Sequence, residues 1–512
     1  MTRFLGLKGN SLNVVAILGV LMPAILSVGF NAASLGGVLS LPSFEKQFPQ
    51  IDVVDAPNPK YASTIQGTVV AVYTIGGFLG TFSCIWLGDR LGRRRVIMTG
   101  SVIQIIGAIL NASAYSLAQL IACRMIIGIG TGAFLATVPL WQSEISPARK
   151  RGSHVATKGV FSGTGSATAL FLDYGLSFTT GSLAWRLPSA FPILLSSTVL
   201  GFIIILPESP RWLIQVGRIS EAREIMAALE DTSVTDGKIE ASVEEVQASL
   251  DLAEGKKSLR QLLHMGPQRT FHRALLGITV MTLLQLTGAT VTTFYTTTIF
   301  ENNLGLNEST SRLLAAIYQL VGPVGGAVCV VSIEGLGRRK LLMGSAAGNA
   351  LCLTLVAVLG SQANNLMAAH GAVFFIFLFH FTYIIGFGGI PYLYVTEIAP
   401  LHLRTTINSF SISVSWALSI LVANVTPIAF NTMGQKFFLI FACFNTMIVP
   451  AVYYLFPETS GRSLEEIDEI FYLSKGILDP VPVARKLPHR APDEFLPEKI
   501  LVDDLKSPET PV

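Results

Sequence analysis

Charge is what this sequence lacks most. Only 13% of its 512 residues are Asp, Glu, Lys or Arg, where an average soluble protein carries ~25%. At ~150 residues per domain such a length would fold as about three soluble domains, and so little charge cannot clothe three surfaces. A soluble enzyme is not expected. The charges also nearly cancel, 36 basic against 33 acidic residues for a net +3. Nucleic-acid binding demands a basic stripe, so no nucleic-acid partner is expected. Cysteine is scarce as well. Cys84, Cys123, Cys329, Cys352 and Cys443 all lie in apolar runs without metal-type spacing, which reads as packing rather than a metal centre. No nucleophile–base pair stands out either, so neither an enzymatic step nor a cofactor is expected.

What the chain does have is apolar length. Hydrophobic residues make up 51%, glycine contributes 46 residues, and the mean hydropathy is +0.56. Crossing a bilayer as a helix takes ~20 mostly apolar residues. Such runs occur at 13–34, 65–87, 96–115, 118–141, 154–177 and 185–206, then at 273–297, 311–331, 341–361, 371–395, 406–429 and 436–456. The first is too long, and too polar at its end (Gly29, Asn31, Ser34), for a cleaved signal peptide. The expectation is an all-α membrane protein with twelve transmembrane helices in two six-helix bundles. Its segments would be an N-terminal bundle (1–206), a helical linker (207–270), a C-terminal bundle (271–458) and a polar, Pro-rich tail (459–512) that becomes disordered.

Basic residues set the orientation. Arg90, Arg93, Arg94 and Arg95 follow helix two, Arg149, Lys150 and Arg151 follow helix four, and Arg338, Arg339 and Lys340 follow helix eight. The long connection at 41–62 holds only Lys46 and Lys60. Both termini and the linker are therefore expected in the cytoplasm, with the protein in the plasma membrane.

The halves repeat each other. Asp89-Arg90-Leu91-Gly92-Arg93-Arg94 returns 245 positions later as Glu334-Gly335-Leu336-Gly337-Arg338-Arg339. Glu144-Ile145-Ser146-Pro147, with Arg151 beyond, returns 253 later as Glu397-Ile398-Ala399-Pro400 with Arg404, and Pro207-Glu208 returns 250 later as Pro457-Glu458. Parallel repeats of this kind bind substrate near the midplane, where the halves meet. Acids and arginines at helix ends can pair between neighbouring helices, and several such pairs together can lock one face shut. Asp89, Arg93, Glu144, Arg151, Glu334, Arg338, Glu397 and Arg404 are the candidates for that cytoplasmic gate.

These motifs are specific. Gly88-Asp89-Arg90-Leu91-Gly92-Arg93-Arg94 resembles the loop motif of the major facilitator superfamily, although Ile85 stands where its leading glycine is usual. Pro207-Glu208-Ser209-Pro210-Arg211-Trp212-Leu213 resembles the PESPRWL signature of the sugar porter family, and Pro457-Glu458-Thr459 its C-terminal partner. Trp141-Gln142-Ser143-Glu144 and Ala184-Trp185-Arg186 resemble the fungal branch that carries hexoses, pentoses, disaccharides and polyols. The resemblance implies alternating access around one central site, in a lipid bilayer, for a small-molecule solute such as a sugar, with or without protons.

It also implies where the solute sits. The helix-seven pattern Gln-Gln-x-Ser-Gly-x-Asn reads here Leu284-Gln285-Leu286-Thr287-Gly288-Ala289-Thr290. Tyr392 holds the family's tryptophan position in helix ten, Ser166 replaces a glutamine in helix five, and Ser415 replaces the asparagine before Trp416 in helix eleven. Substrate contacts are thus expected from Gln285, Thr287, Thr290, Tyr392, Trp416 and Ser166, with Thr292 and Thr293 compensating in part. The pocket would be polar but poor in amides, which leaves room for a larger or less polar ligand.

Arg124 lies inside an apolar run, where an ionised side chain normally has a partner and a function. In proton-linked sugar porters the matching arginine faces a helix-one aspartate, but this chain has Gly29-Phe30-Asn31. An amide cannot titrate. Asp173 is the remaining candidate for coupling, either as a proton carrier or as a partner of Arg186. Uniport and proton symport stay open, as do a carrier of another organic solute, such as a secondary metabolite, and a non-transporting nutrient sensor. The sensor is disfavoured because such relatives carry very long tails.

Overall fold

The computed structural model describes residues 6–38, 41–51, 59–146, 151–179, 181–251, 265–266, 268–300, 307–362 and 366–487. Long helices dominate. The N-terminal half holds α1 (Gly9–Val38), α2 (Pro59–Leu91), α3 (Arg93–Ala112), α4 (Leu117–Ile145), α5 (Arg151–Leu176) and α6 (Leu183–Ile205). In the C-terminal half lie α7 (Thr270–Leu286, resuming Ala289–Thr298), α8 (Glu308–Leu336), α9 (Arg338–Gly360), α10 (Leu366–Phe387, resuming Ile390–Ile398), α11 (Arg404–Met433) and α12 (Phe437–Leu455).

Among the described residues, eleven helices are long and apolar enough to cross a membrane. The twelfth, α5, has the length, but Lys158, Asp173 and its many Ser, Thr and Gly residues dilute its hydropathy. It packs among the others against α1 and α8. Leu18, Ile106, Leu194, Val331, Leu351 and Met447 are large apolar side chains left exposed on the outside. A soluble protein rarely shows so much apolar surface; lipid is the solvent that suits it. Cys443 departs from the packing expected of the cysteines, being exposed, whereas the other four are buried.

Packing repeats as the sequence does. α2 lies on α4, α1 on α5 and α3 on α6; in the second half α8 lies on α10, α7 on α11 and α9 on α12. The halves meet along two seams, α5 against α8 and α2 against α11. Small residues allow the closest approaches, which drive helix association where lipid removes the hydrophobic force. A Cβ on Gly76 or Gly80 would run into the backbone carbonyls of Met125 or Ile129, and one on Gly132 into that of Gly77.

Two helices break where the halves face each other. α7 stops at Leu286, and Gly288 adopts φ 89°, a left-handed conformation that favours glycine, before the chain resumes. α10 stops at Phe387 and restarts at Ile390 beyond Gly388 and Gly389. Both breaks fall inside the apolar runs at 273–297 and 371–395, each of which still makes one spanning segment. Broken helices expose backbone carbonyls only where they line a cavity.

The linker forms three helices, Pro210–Gln215, Ile219–Glu230 and Gly237–Asp251. Trp212, Ile225 and Val243 pack in one apolar cluster with Leu401 of the C-terminal half, and the Trp212 indole donates to the Asp89 carbonyl of the N-terminal half, so the linker touches both bundles. The tail is ordered further than its composition suggested. Ser463 and Glu466 form a capping box that starts a helix at Leu464–Leu473, and a second helix spans Pro480–Lys486. Ile467, Ile470 and Phe471 bury its apolar side, and Arg273 of α7 pairs with Asp468. Residues 488–512 lie outside the described residues.

Candidate functional site

A cavity of about 180 Å³ lies between the bundles. α1 contributes Gly29 and Ala32, and α5 contributes Lys158, Ser162 and Ser166. The C-terminal half supplies Gln285 and Thr293 from α7, Gln319 from α8, His380, Tyr383 and Tyr392 from α10, and Ser415, Trp416 and Ser419 from α11. Its polar groups are hydroxyls, two amides, an imidazole and one ammonium.

Gln285 stands just before the break in α7. Its Nε2 donates to Ser415 Oγ at 2.8 Å, and its Oε1 accepts from Thr290 Oγ1 at 2.5 Å. The amide is therefore fixed in orientation by both neighbours. Trp416 meets Tyr73 edge to face at 6.0 Å between centroids, and its indole N–H is buried without a partner. Tyr392 presents its ring face to Lys158 Nζ, 3.4 Å from the centroid. Lys158 also donates to the carbonyl of Gly388 at 3.3 Å, in the break of α10.

Of the six expected contact residues, Gln285, Tyr392, Trp416 and Ser166 line the cavity. Ser166 is tied down, its hydroxyl donating to the Gly29 carbonyl at 3.0 Å. Thr287 and Thr290 do not line it. Thr287 is fully buried and donates to Leu284 O at 2.7 Å, closing the turn of α7, while Thr290 reaches the cavity only through Gln285. Their places are taken by Lys158, His380, Gln319, Tyr383 and Thr293. Thr293 is expected from the sequence to compensate in part; of the others, Lys158 alone offers a readable signal, as an ionised residue inside an apolar run.

The expected coupling residues do not meet. Asn31 donates to Ser27 O at 2.9 Å, inside a polar chain that runs through Ser27 and Gln104 to Thr131. Arg124 is buried inside the bundle, so it does not snorkel to the membrane surface, and its guanidinium lies 4.8 Å from the Tyr73 ring rather than against α1. Asp173 is buried beside Gly37 of α1, with no hydrogen-bond partner on either carboxylate oxygen. The Asp173–Arg186 pair is not formed. Arg186 instead donates to the carbonyls of Ala112, at 2.7 Å, and Ala114, at 3.2 Å, and stacks on Tyr115 and Trp185.

The repeated acids and arginines gather on one face. Arg93 pairs with Glu144 at 2.9 Å and with Asp89 at 3.7 Å, and Arg338 pairs with Glu397 at 3.0 Å and Glu334 at 2.8 Å. Each set closes within its own half. Among the described residues the tie across the halves is Arg404 to Glu144, at 4.0 Å; the Arg151 side chain lies outside the described residues. Among the described residues the pairs thus join neighbouring helices inside each half, and Arg404–Glu144 reaches across. A neutral contact also crosses between the halves: Asn408 of α11 donates to the carbonyl of Ala136 in α4 at 2.7 Å.

Glu208 and Glu458 do work that the motifs alone did not reveal. Glu208 accepts the backbone N–H groups of Arg93 and Arg94 at the start of α3, and Glu458 those of Arg338 and Arg339 at the start of α9. Helix starts have unsatisfied N–H groups and a positive dipole end, so each carboxylate caps a helix distant in sequence. Burial pushes the Glu208 carboxyl up, opposed by the N–H donors of Ser209 and Arg94 and by the Arg93 charge. Gly92 and Gly337, at φ 83° and 85°, leave the space that each carboxylate occupies.

The repeat therefore builds two equivalent bundles around a polar cavity, and known proteins share that plan. Residues 13–471 match the family model described as "Sugar (and other) transporter". The chain belongs to this family. It is a membrane transporter and not an enzyme. The "Sugar transporter STL1" of Saccharomyces cerevisiae is 32% identical over 92% of this chain and 83% of its own, and the "MFS-type transporter oryC" of Aspergillus oryzae 33% identical over 90% and 86%. Among solved structures, the proton:xylose symporter XylE bound to 6-bromo-6-deoxy-D-glucose superposes with a TM-score of 0.78 at 20% identity, covering 90% of this chain and 98% of that one. The major facilitator fold, with twelve helices in two pseudo-symmetric bundles, follows from that likeness.

Proposed function

We propose that this protein carries a sugar or polyol across the plasma membrane by alternating access. The observation that carries the reading is the cavity itself, lined from both halves and furnished with an oriented amide at Gln285, hydroxyls at Ser415 and Ser419, and aromatic groups at Tyr392 and Trp416. Hydroxyl-rich solutes need that combination of donors, acceptors and an aromatic surface. A ligand touching both halves can favour one access state over the other, which is what transport requires. The name of the yeast relative, a sugar transporter, supports the same class.

The face carrying the arginine loops is the cytoplasmic one by the distribution of basic residues, and it is closed here by Glu144–Arg404 and Asn408–Ala136. Asn31 cannot titrate, so transport is facilitative or coupled through Asp173. A second reading, carriage of another organic solute, is favoured by the scarcity of amides in the cavity, whose described lining holds two, Gln285 and Gln319. Uptake of labelled glucose, xylose and glycerol by cells lacking their own sugar carriers tests the proposal. Uptake of at least one above the vector control is expected. None, at verified surface expression, would overturn it.

A further inference from the structure

We propose that the preferred solute is an anionic polyhydroxy compound, a sugar carboxylate, whose carboxylate group pairs with Lys158. The inference rests on the carrier reading above and concerns the same cavity. Lys158 is 5% exposed and lines the cavity from the first third of α5. Its ammonium touches the face of Tyr392 and the Gly388 carbonyl, and among the described residues no Asp or Glu lines the cavity. His380, the other titratable nitrogen-bearing side chain at the wall, brings no negative charge.

A buried cation that lacks an anion is costly, and intramembrane lysines normally have a counter-charge. A ring face and one carbonyl offset only part of that cost. Two buried cations at the motif face do have carboxylates: Arg93 has Glu144, and Arg338 has Glu397. Lys158 is missing the partner that an acidic solute would bring. The remaining wall suits the rest of such a solute, since Gln285, Ser415 and Ser162 offer hydrogen bonds to hydroxyls. Position matters as well. Lys158 belongs to the N-terminal half, whereas Tyr392 and Gly388 belong to the broken α10 of the other, so a carboxylate seated there draws on both bundles at their seam.

The test is competition and uptake with matched neutral and acidic probes, labelled D-glucose and D-glucuronate, in carrier-deficient cells producing the full chain. Wild type is expected to take up glucuronate, and glucuronate to inhibit uptake more strongly than glucose does. In Lys158→Gln the inhibitory potency of glucuronate relative to glucose should fall roughly tenfold or more, because one partner of a buried charge pair is removed. Lys158→Arg, which keeps the charge, should retain the preference and controls for folding, together with surface labelling. Glucose uptake without any glucuronate uptake or inhibition would overturn this inference and leave the carrier reading standing. A glucuronate preference that survives Lys158→Gln would remove Lys158 as its cause and overturn the proposal. Uptake of neither probe, nor of xylose or glycerol, would overturn both readings.

Discussion

Removing the Glu144 carboxylate probes what the repeated acids and arginines contribute to the N-terminal bundle. The Arg93 and Glu144 side chains are 1% and 0% exposed. Arg93 Nε and Nη2 donate to the two carboxylate oxygens at 2.9 and 3.1 Å. Breaking a buried pair on one side costs about 3–5 kcal/mol, because the surviving charge stays buried without its counter-ion. Here Asp89 remains 3.7 Å from Arg93 and the Gly88 carbonyl accepts at 3.4 Å. Part of the charge stays compensated, so Glu144→Leu is expected near ~3 kcal/mol, the low end of that range. Removing both partners together, Arg93→Met with Glu144→Leu, leaves no orphaned guanidinium at Arg93 and should recover most of the loss. Thermal unfolding midpoints of wild type, both single variants and the double variant, purified in one detergent, complete the cycle. If the double variant loses as much as the two singles added together, the two side chains do not act as a pair and the argument fails.

Further outcomes follow from the same geometry. Asn408→Ala removes the hydrogen bond to Ala136, typically about 0.5–1.5 kcal/mol, and should open the face that carries the arginine loops more often; faster labelling of a cysteine introduced at Ala136 would show it, and unchanged labelling would count against the bond as a gate. Gly337→Ala places a Cβ against the Glu458 carboxylate at a left-handed φ. It should cost roughly 1–2 kcal/mol of strain and lower the unfolding midpoint, whereas Gly344→Ala, in open space, should not. Accumulation of a non-metabolised substrate at pH 5, if sensitive to a protonophore, should be abolished by Asp173→Asn; accumulation that survives the change would exclude Asp173 as the coupling group.

The sequence made the architecture legible because two of its signals are coarse and robust. A run of ~20 apolar residues has few alternatives to a spanning helix, and three motif pairs at nearly one offset have few alternatives to a duplicated bundle. The site was harder to read, because helices buried on several sides carry no single apolar face to orient them. Gln285, Tyr392 and Trp416 reached the cavity, but Thr287 and Thr290, on the same helix as Gln285, turned into the break at Gly288 instead. The breaks themselves lie inside apolar runs with no change of hydropathy, and only Gly288 and the Gly388-Gly389 pair mark them. Paired charges were visible as types but not as partners. Glu144 finds Arg93 and Arg404, one in its own half and one across the seam, and spacing alone cannot separate the two. The tail's two short helices were not read individually, because proline content outweighed the short amphipathic stretch after Ser463 and its capping box.

Gln285 is where the account can be tested most directly, since it places the solute in the cavity between the halves. The measurement is the concentration dependence of uptake of a verified substrate by wild type and Gln285→Ala at equal surface expression. Each hydrogen bond given up by the amide contributes about 0.5–1.5 kcal/mol. The apparent KM should therefore rise roughly two- to tenfold, with maximal rate largely retained. Unchanged kinetics would contradict the account, because they would take the solute out of the cavity that Gln285, Tyr392 and Trp416 line.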